Sequence, residues 1–323
     1  MAGGFGILIL RRLALGLPLI LLIVSLTFAL TKLAPGDPAL LLAGDAPTPE
    51  FLAQVRAEYH LDKPLLQQFL IYVARAVQGN LGTSIYFGVP VTQLILQHFP
   101  VTLLLASLSM LFASAMGILL GVVAANRRDT PVDAIVSGAS LLGFSIPIFW
   151  LGQLLVLLFA VNLNWLPAGG MSSARVTYHG LDHLLDVARH LVLPVTTLML
   201  FEMAMITRFT RTAMIEALGK DFVTVAYAKG ATHGRVLWRH ALPNALVTSV
   251  TIIGLEFGVL LAGAVVTEII YGLPGLGRLF FDSIFRRDFQ LMTGCFIVAS
   301  AAVVVVNIIT DIIVATLDPR VGR

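Results

Sequence analysis

The run Leu291-Met-Thr-Gly-Cys-Phe-Ile-Val-Ala-Ser-Ala-Ala-Val-Val-Val-Val-Asn-Ile-Ile-Thr-Asp-Ile-Ile-Val-Ala-Thr-Leu317 carries one charged side chain, Asp311. A helix needs roughly 20 apolar residues to cross a hydrocarbon core of about 30 Å, and this run is long enough. Working outward, five more segments qualify: Leu13–Leu33, Pro100–Ala125, Ala134–Val161, Leu191–Ile215 and Ala245–Tyr271. In lipid the backbone must satisfy its own hydrogen bonds, so helices are the default. Composition agrees. Of 323 residues, 58% are hydrophobic and 12% charged, against about 25% charged in an ordinary soluble domain. The expectation is an all-α integral membrane protein with six transmembrane helices.

Charge placement sets the expected orientation. The net charge of +3 is too small to argue for a nucleic-acid partner. Lys and Arg accumulate in cytoplasmic loops. With the N-terminus inside, the cytoplasmic pieces hold Arg11 and Arg12, then Arg127 and Arg128, then Arg208, Arg211, Lys220, Lys229, Arg235 and Arg239, and finally Arg320 and Arg323. The outer loops hold Arg175 and Arg189, then Arg278, Arg286 and Arg287, so the last outer loop runs against the trend. Both termini are expected in the cytoplasm. The first apolar stretch exceeds the 7–15 residues usual for a signal core. It is read as a retained helix, so residues 1–33 form the cytoplasmic start and first span. Residues 34–99 are too long for a plain loop. With amphipathic spacing near Phe51–Tyr59 and Leu65–Val77, they form an external helical subdomain. Residues 100–317 form the five-helix core and 318–323 a cytoplasmic tail. Cys295 stands alone in an apolar run, so no disulfide forms within the chain and no cysteine zinc cluster exists. Gly117 with Gly121, and Gly254 with Gly258, have the spacing that lets helices approach closely.

The loop over residues 216–244 reads Glu216-Ala-Leu-Gly-Lys-Asp-Phe-Val-Thr-Val-Ala-Tyr-Ala-Lys-Gly-Ala-Thr-His-Gly-Arg-Val-Leu-Trp-Arg-His-Ala-Leu-Pro-Asn244. Asp221 can cap a short helix running to about Lys229. Phe222, Val225, Ala226 and Lys229 follow i, i+3, i+4 and i+7, which is one face. Gly230 stands where a glycine stop belongs. A second short helix is expected over Gly234–Ala241, and Pro243 suits the first turn of the next span. The residues alone describe either a projecting helix with an apolar face or an ordinary basic inside loop.

This loop resembles the permease coupling motif of ABC importers, with Ala226, Gly230 and Leu242-Pro243 in place. The whole chain resembles the first permease subunit of the dipeptide, oligopeptide and nickel importer family. The resemblance runs through Pro35-Gly-Asp-Pro38, Leu61-Asp-Lys-Pro64, Gly79-Asn-Leu-Gly82 and Ser84. It continues in Asp221, Ala226, Ala228, Lys229 and Gly230, then His240-Ala-Leu and Asn244-Ala245. The end matches through Leu273-Pro-Gly-Leu-Gly-Arg278, Arg287-Asp288, Asn307, Asp311 and Asp318-Pro-Arg320. The chain departs from the family at Tyr227 and Pro243, where arginine is usual, at Ala231, where leucine is usual, and at Phe289-Gln290, where an aromatic residue and proline are usual.

The resemblance implies a translocation subunit of a bacterial inner-membrane ABC importer. Its partners would be a homologous second permease, two cytoplasmic ATPase subunits and a periplasmic substrate-binding protein, all in a lipid setting. Asp221, Phe222, Val225, Ala226, Lys229 and Gly230 would couple the membrane helices to ATP hydrolysis. The 34–99 segment would help receive the binding protein. ATP and Mg would sit on the ATPases, with no cofactor on this chain. No Gly-x-x-x-x-Gly-Lys-[Ser/Thr] phosphate loop is present, since Gly219-Lys220 lacks the upstream glycine and the hydroxyl. Neither His-Glu-x-x-His nor Gly-x-Ser-x-Gly occurs, so no enzyme constellation is visible.

Four carboxylates lie in or near the spans, where a charged group costs about 2.5–3.5 kcal/mol at a helix centre. Glu268 and Asp311 match the family pattern and are expected to be paired or interfacial. Glu202 and Glu256 do not come from the family pattern. They either line the path for a cationic group or pack as protonated, hydrogen-bonded side chains. His179, His183, Asp186 and His190 fall at i, i+4, i+7 and i+11. Such a row can ligate zinc or nickel, yet Gly180 interrupts it, and a solvated outer face is the simpler expectation. A proton-driven carrier using Glu202 or Glu256 is the competing class; such a carrier needs no docking helix. The expected cargo is a dipeptide or oligopeptide with a free amino terminus, with nickel or another small solute as the alternative.

Overall fold

The computed structural model describes residues 2–33, 48–58, 62–173, 176 and 178–317. Pro35-Gly-Asp-Pro38, Leu61, Arg175 and Asp318-Pro-Arg320 lie outside these residues. Helix α1 is Ala2–Leu33, α2 Pro49–Glu58 and α3 Leu65–Val77. Next come α4 (Val91–Asn126), α5 (Pro131–Ser145) and α6 (Ile148–Leu155), the last continuing as a π-helical turn over Val156–Asn162. Helix α7 is Leu181–Leu218 and α8 Asp221–Ala228. Helix α9 (His233–Arg235) runs through a π turn, Val236–Ala241, into α10, Leu242–Gly263. Helices α11 (Val265–Ile270), α12 (Leu276–Phe285) and α13 (Phe289–Leu317) complete the chain.

Among the described residues, α4, α7, the continuous stretch His233–Ala262 and α13 are long and apolar enough to cross a membrane. The pair α5 and α6 makes a fifth span if counted as one. The first expected span falls on α1, whose described apolar part, Ala14–Ala29, is shorter than a crossing requires. The described structure therefore holds four or five of the six expected spans.

Two differences from the expected spans have local causes. The third span is not straight: α5 and α6 meet at a bend of 98°. Pro147 forces it. Proline disfavours α geometry in the residue before it, and Ile146 is extended at φ −76°, ψ 124°. Proline also has no N–H to return to the carbonyl four residues back, which here is that of Gly143. In the fifth span the proline is absorbed instead. The second short helix expected in the 216–244 loop does not stop but fuses with α10, and the π turn over Val236–Ala241 lies just before Pro243. A π turn changes the local bonding so that the chain tolerates the ring without a break.

The chain divides into two compact units. The first comprises Met1–Leu13, Val101–Arg278 and Ala302–Arg323. Its core joins Leu105, Met110, Leu193, Leu198, Ile206, Tyr271 and Leu273. Gly117 and Gly121 are needed for the packing of α4 on α7. A Cβ at Gly117 would sit 2.9 Å from that of Ile206, and one at Gly121 2.8 Å from the Thr207 carbonyl oxygen. The Arg12 guanidinium pairs with Asp311 at 2.6 Å, which ties α1 to α13.

The second unit comprises Ala14–Pro100 and Leu279–Ala301, so residues 279–301 fall with the described part of the 34–99 segment. Asp288 explains why. Its buried carboxylate accepts the Ser84 hydroxyl and the Tyr86 N–H (3.2 Å), and it also accepts the Leu291 N–H at the start of α13 (3.1 Å). Gln290 accepts the Thr83 N–H at 2.9 Å, so a position that departs from the family pattern is used here to hold the turn. The Arg286 guanidinium lies 3.6 Å above the Tyr86 ring.

Candidate functional site

The loop over residues 216–244 builds its helix from local signals. Gly230 has φ +81°. Its N–H donates to the Tyr227 carbonyl (2.9 Å), and the Ala231 N–H donates to that of Ala226 (3.1 Å). These two bonds are the Schellman arrangement that closes a helix at glycine. Asp221 is the first helical residue and not the cap, a position filled by Lys220. Its charge still favours the N-terminal end of the helix dipole.

The expected single face divides in two. Ala226 is buried with Val223 and Val236, inside the loop's own small core. Phe222 and Val225 are exposed, as are Tyr227 and Lys229. Ala226 thus holds the loop together, and the outward surface is Phe222, Val225 and Lys229. The sequence pattern could not separate these, because the element that buries Ala226 is the following turn rather than a neighbouring span.

A hydrogen-bonded chain ties this helix to the end of α4. The Tyr227 hydroxyl bonds His233 Nδ1 at 2.7 Å, and His233 Nε2 bonds Asn126 Oδ1 at 2.6 Å. Asn126 Oδ1 can only accept, so Nε2 carries the proton and Nδ1 accepts from tyrosine. Nearby, Arg211 on α7 donates to both oxygens of Asp133 on α5, at 2.5 and 2.6 Å. The sequence reading missed Asn126, His233 and Asp133. Their partners are remote in sequence, and the only signal was polar side chains at the mouths of apolar helices.

Within the membrane region the four carboxylates have different surroundings. Glu268 is fully buried and accepts the Thr102 hydroxyl (2.5 Å) and the Arg278 N–H (2.8 Å), while the Leu276 N–H donates to Thr102 (2.8 Å). Asp311 pairs with Arg12. Glu202 is 3% exposed, and its Oε2 has no hydrogen-bond partner. It borders a cavity of about 290 Å³ at the α5–α6 bend, lined by Phe144, Phe201, Val259, Val266 and Thr267. Glu256, half-buried on α10, is close enough for its charge to act on Glu202.

The histidine row does not assemble. His190 Nδ1 donates to the Asp186 carbonyl oxygen, and the Asp186 carboxylate is taken by the N–H and hydroxyl of Ser173, each at 2.7 Å. His179 and His183 are exposed. Among the described residues no three His, Cys, Asp or Glu side chains converge on a point.

Residues 117–323 match the family described as binding-protein-dependent transport system inner membrane component, and residues 6–106 match the N-terminal region of such components. The dipeptide transport system permease protein DppB of Escherichia coli K12 is 39% identical over 331 aligned residues, covering 97% of this chain and 98% of that one. The di/tripeptide permease DppB of Pseudomonas aeruginosa is 40% identical, covering 96% and 97%. In fold, the chain is similar to a subunit of the MetNI methionine ABC transporter solved in inward-facing conformations. The TM-score is 0.57 at 18% identity, over 70% of this chain and 96% of that one. The chain is a multi-pass inner-membrane protein that works within a multi-subunit ABC importer, and it belongs to the family of binding-protein-dependent transport system inner-membrane components.

Proposed function

We propose that this chain is one of two homologous permease subunits of an importer for dipeptides or oligopeptides. Identity of 39–40% to dipeptide and di/tripeptide permeases, along nearly the whole length of both chains, carries this reading. Two cytoplasmic ATPase subunits bind ATP and Mg, and a periplasmic binding protein delivers the peptide. The coupling surface is α8 with its glycine stop. Phe222, Val225 and Lys229 face the ATPase, Asp221 and Gly230 set the ends of the helix, and Ala226 locks it to the following turn. The exposed apolar pair beside a lysine supports this, since an apolar surface left bare at a cytoplasmic loop suits a docking partner. Glu202 and Glu256 line the path. Both termini and the α8 loop lie in the cytoplasm, with residues 34–99 outside, as the arginine distribution favours.

Affinity purification of the tagged chain from its native membrane, followed by reconstitution of what co-purifies, tests the assignment. A second permease and two ATPases should co-purify, and the vesicles should take up a radiolabelled dipeptide only with ATP and a binding protein. Uptake of a metal chelate or a sugar, and of no peptide, would overturn it. For orientation, single cysteines at the exposed positions Gln78 and Thr232 in a Cys295→Ala background should react with an impermeant thiol reagent from opposite sides. Same-side labelling refutes the topology.

A further inference from the structure

Glu202 is a buried carboxyl of this membrane region, 3% exposed, whose surroundings leave one oxygen, Oε2, without a partner. A buried polar group without a partner is costly, and a buried charge more so. Idle carboxyls in membrane helices are rare, and those present face an interior path or a cavity. Glu202 faces one, of about 290 Å³.

The cavity exists because the third span is broken. Phe144, Ser145, Ile146 and Pro147 form its rim at the 98° bend. The carbonyl end of α5 lies at this rim, and Pro147 supplies no N–H to the last turn. Interrupted helices in membrane proteins bring free backbone groups to a ligand in this way. The acceptors near the cavity are thus a carboxyl and helix-end carbonyls. Glu256 adds a second carboxyl within electrostatic reach. That set suits a cation able to donate several hydrogen bonds, such as a primary ammonium with its three N–H groups.

The remaining walls are apolar. The rings of Phe144 and Phe201 stack with centroids 5.5 Å apart, and Val259 and Val266 are also part of the lining. Phenylalanine faces attract cations as well as alkyl groups. The volume is at the low end of the roughly 300–1,000 Å³ usual for small-molecule sites. It is large enough for one amino-acid residue.

Resting on the reading of the chain as a peptide permease, we propose that this cavity receives the first residue of the cargo. Glu202 binds its free ammonium group, and the apolar wall selects an uncharged, preferably aliphatic or aromatic, first side chain. The cavity thereby makes the permease selective in its own right, apart from the binding protein.

The test uses the purified whole complex in nanodiscs, without binding protein, so that selection by the permease is read alone. The probe is a dipeptide whose first residue is p-benzoylphenylalanine, in free and N-acetylated forms. Labelling should fall within residues 144–148, 198–202 or 259–267, and N-acetylation should weaken it about tenfold or more, the loss expected for one charge-assisted contact. Leucinamide should protect, whereas aspartyl peptides should not. E202Q, nearly isosteric, should bring free and acetylated probes to the same low yield. Labelling elsewhere, equal labelling by both forms in the wild type, or discrimination unchanged in E202Q overturns the assignment. Because labelling is scored first on the unaltered complex, a misfolded variant cannot shield the proposal. If the wild-type vesicles import no peptide at all, the peptide reading itself falls; if they import peptide and E202Q still discriminates, only the cavity assignment falls.

Discussion

Two glutamates on neighbouring membrane helices, both almost wholly buried, have opposite surroundings. Glu268 on α11 is knotted to Thr102 and to the backbone of Arg278. Gly275 makes room for it, since a Cβ there would run into its carboxyl group. Glu202 on α7 has a cavity on one side and no partner for one of its oxygens. The same side chain, at the same burial, is a fastener in one place and an unfilled site in the other. What separates them is the nearby backbone. At Glu268 the first turn of α12 brings the Arg278 N–H onto the carboxyl and Thr102 supplies a second donor, whereas at Glu202 the bend at Pro147 opens a cavity.

The largest effect that would break this contrast comes from Glu268→Gln. The amide keeps one accepting oxygen but turns an NH₂ toward a second donor. Losing a hydrogen bond to a charged group costs about 1.5–3 kcal/mol, and a stranded buried donor adds to that. Much less of the complex should reach the membrane, measured by quantitative immunoblot against wild type. Gly275→Ala should do the same by displacing the carboxyl. Wild-type levels of both variants would mean that the knot around Glu268 does not hold the core.

Second in size is Gly230→Val, which extends the contrast to the 216–244 loop. A Cβ at Gly230 would meet nothing within 4 Å, so the cost is the backbone alone. Holding a β-branched residue at φ +81° costs on the order of 1–3 kcal/mol. The helix end should unravel, leaving the complex assembled but transport per ATP hydrolysed largely lost. Gly230→Asn, which tolerates this conformation, should retain most of the coupling. If valine and asparagine behave alike, the glycine stop has no coupling role.

How much of this could be read from the sequence divides along the same line. Gly230 was legible, because a glycine stop after a short periodic segment is a local rule. The apolar spans were legible for the same reason. The division of α8 into a buried Ala226 and an exposed Phe222 and Val225 was not, since it depends on where Val236 folds back. Glu202 and Glu256 stood out as carboxylates in apolar helices, and the family resemblance set Glu268 apart from them as a paired residue. The cavity arises from Pro147, one proline among several inside apolar stretches. The π turn before Pro243 shows that an equivalent proline can be absorbed without a break. Asp288 and Ser84, 204 residues apart, share a hydrogen bond that no periodicity announces.

A smaller effect sharpens the comparison from the other side. Glu202→Leu removes the unpartnered carboxyl and fills part of the cavity. Replacing a buried, unsatisfied polar group by an apolar one is neutral or stabilising. The purified complex should melt at an unchanged or slightly higher temperature while peptide transport falls. A lower melting temperature would mean that Glu202 is a structural residue like Glu268.

The smallest effect concerns the exposed chain Tyr227–His233–Asn126. Tyr227→Phe keeps the ring stacked on His233, which lies nearly parallel at 10°, and deletes only the hydroxyl. Each bond of the chain is solvent-exposed. A net contribution of about 0.5–1.5 kcal/mol each follows, or roughly two- to tenfold in an equilibrium between coupled and uncoupled positions of α8. Asn126→Leu cuts the same chain at its other end. Because the two bonds act in series through one imidazole, either cut disconnects α8 from α4, and the double variant should lose little more than either single one. Transport per ATP hydrolysed in reconstituted vesicles is the measurement. Acidification should leave the chain intact, since a protonated His233 donates from both nitrogens and the tyrosine oxygen can accept. Additive losses in the double variant, or an unchanged ratio in Tyr227→Phe, would show that α8 reaches the membrane helices by the backbone of residues 229–241 alone.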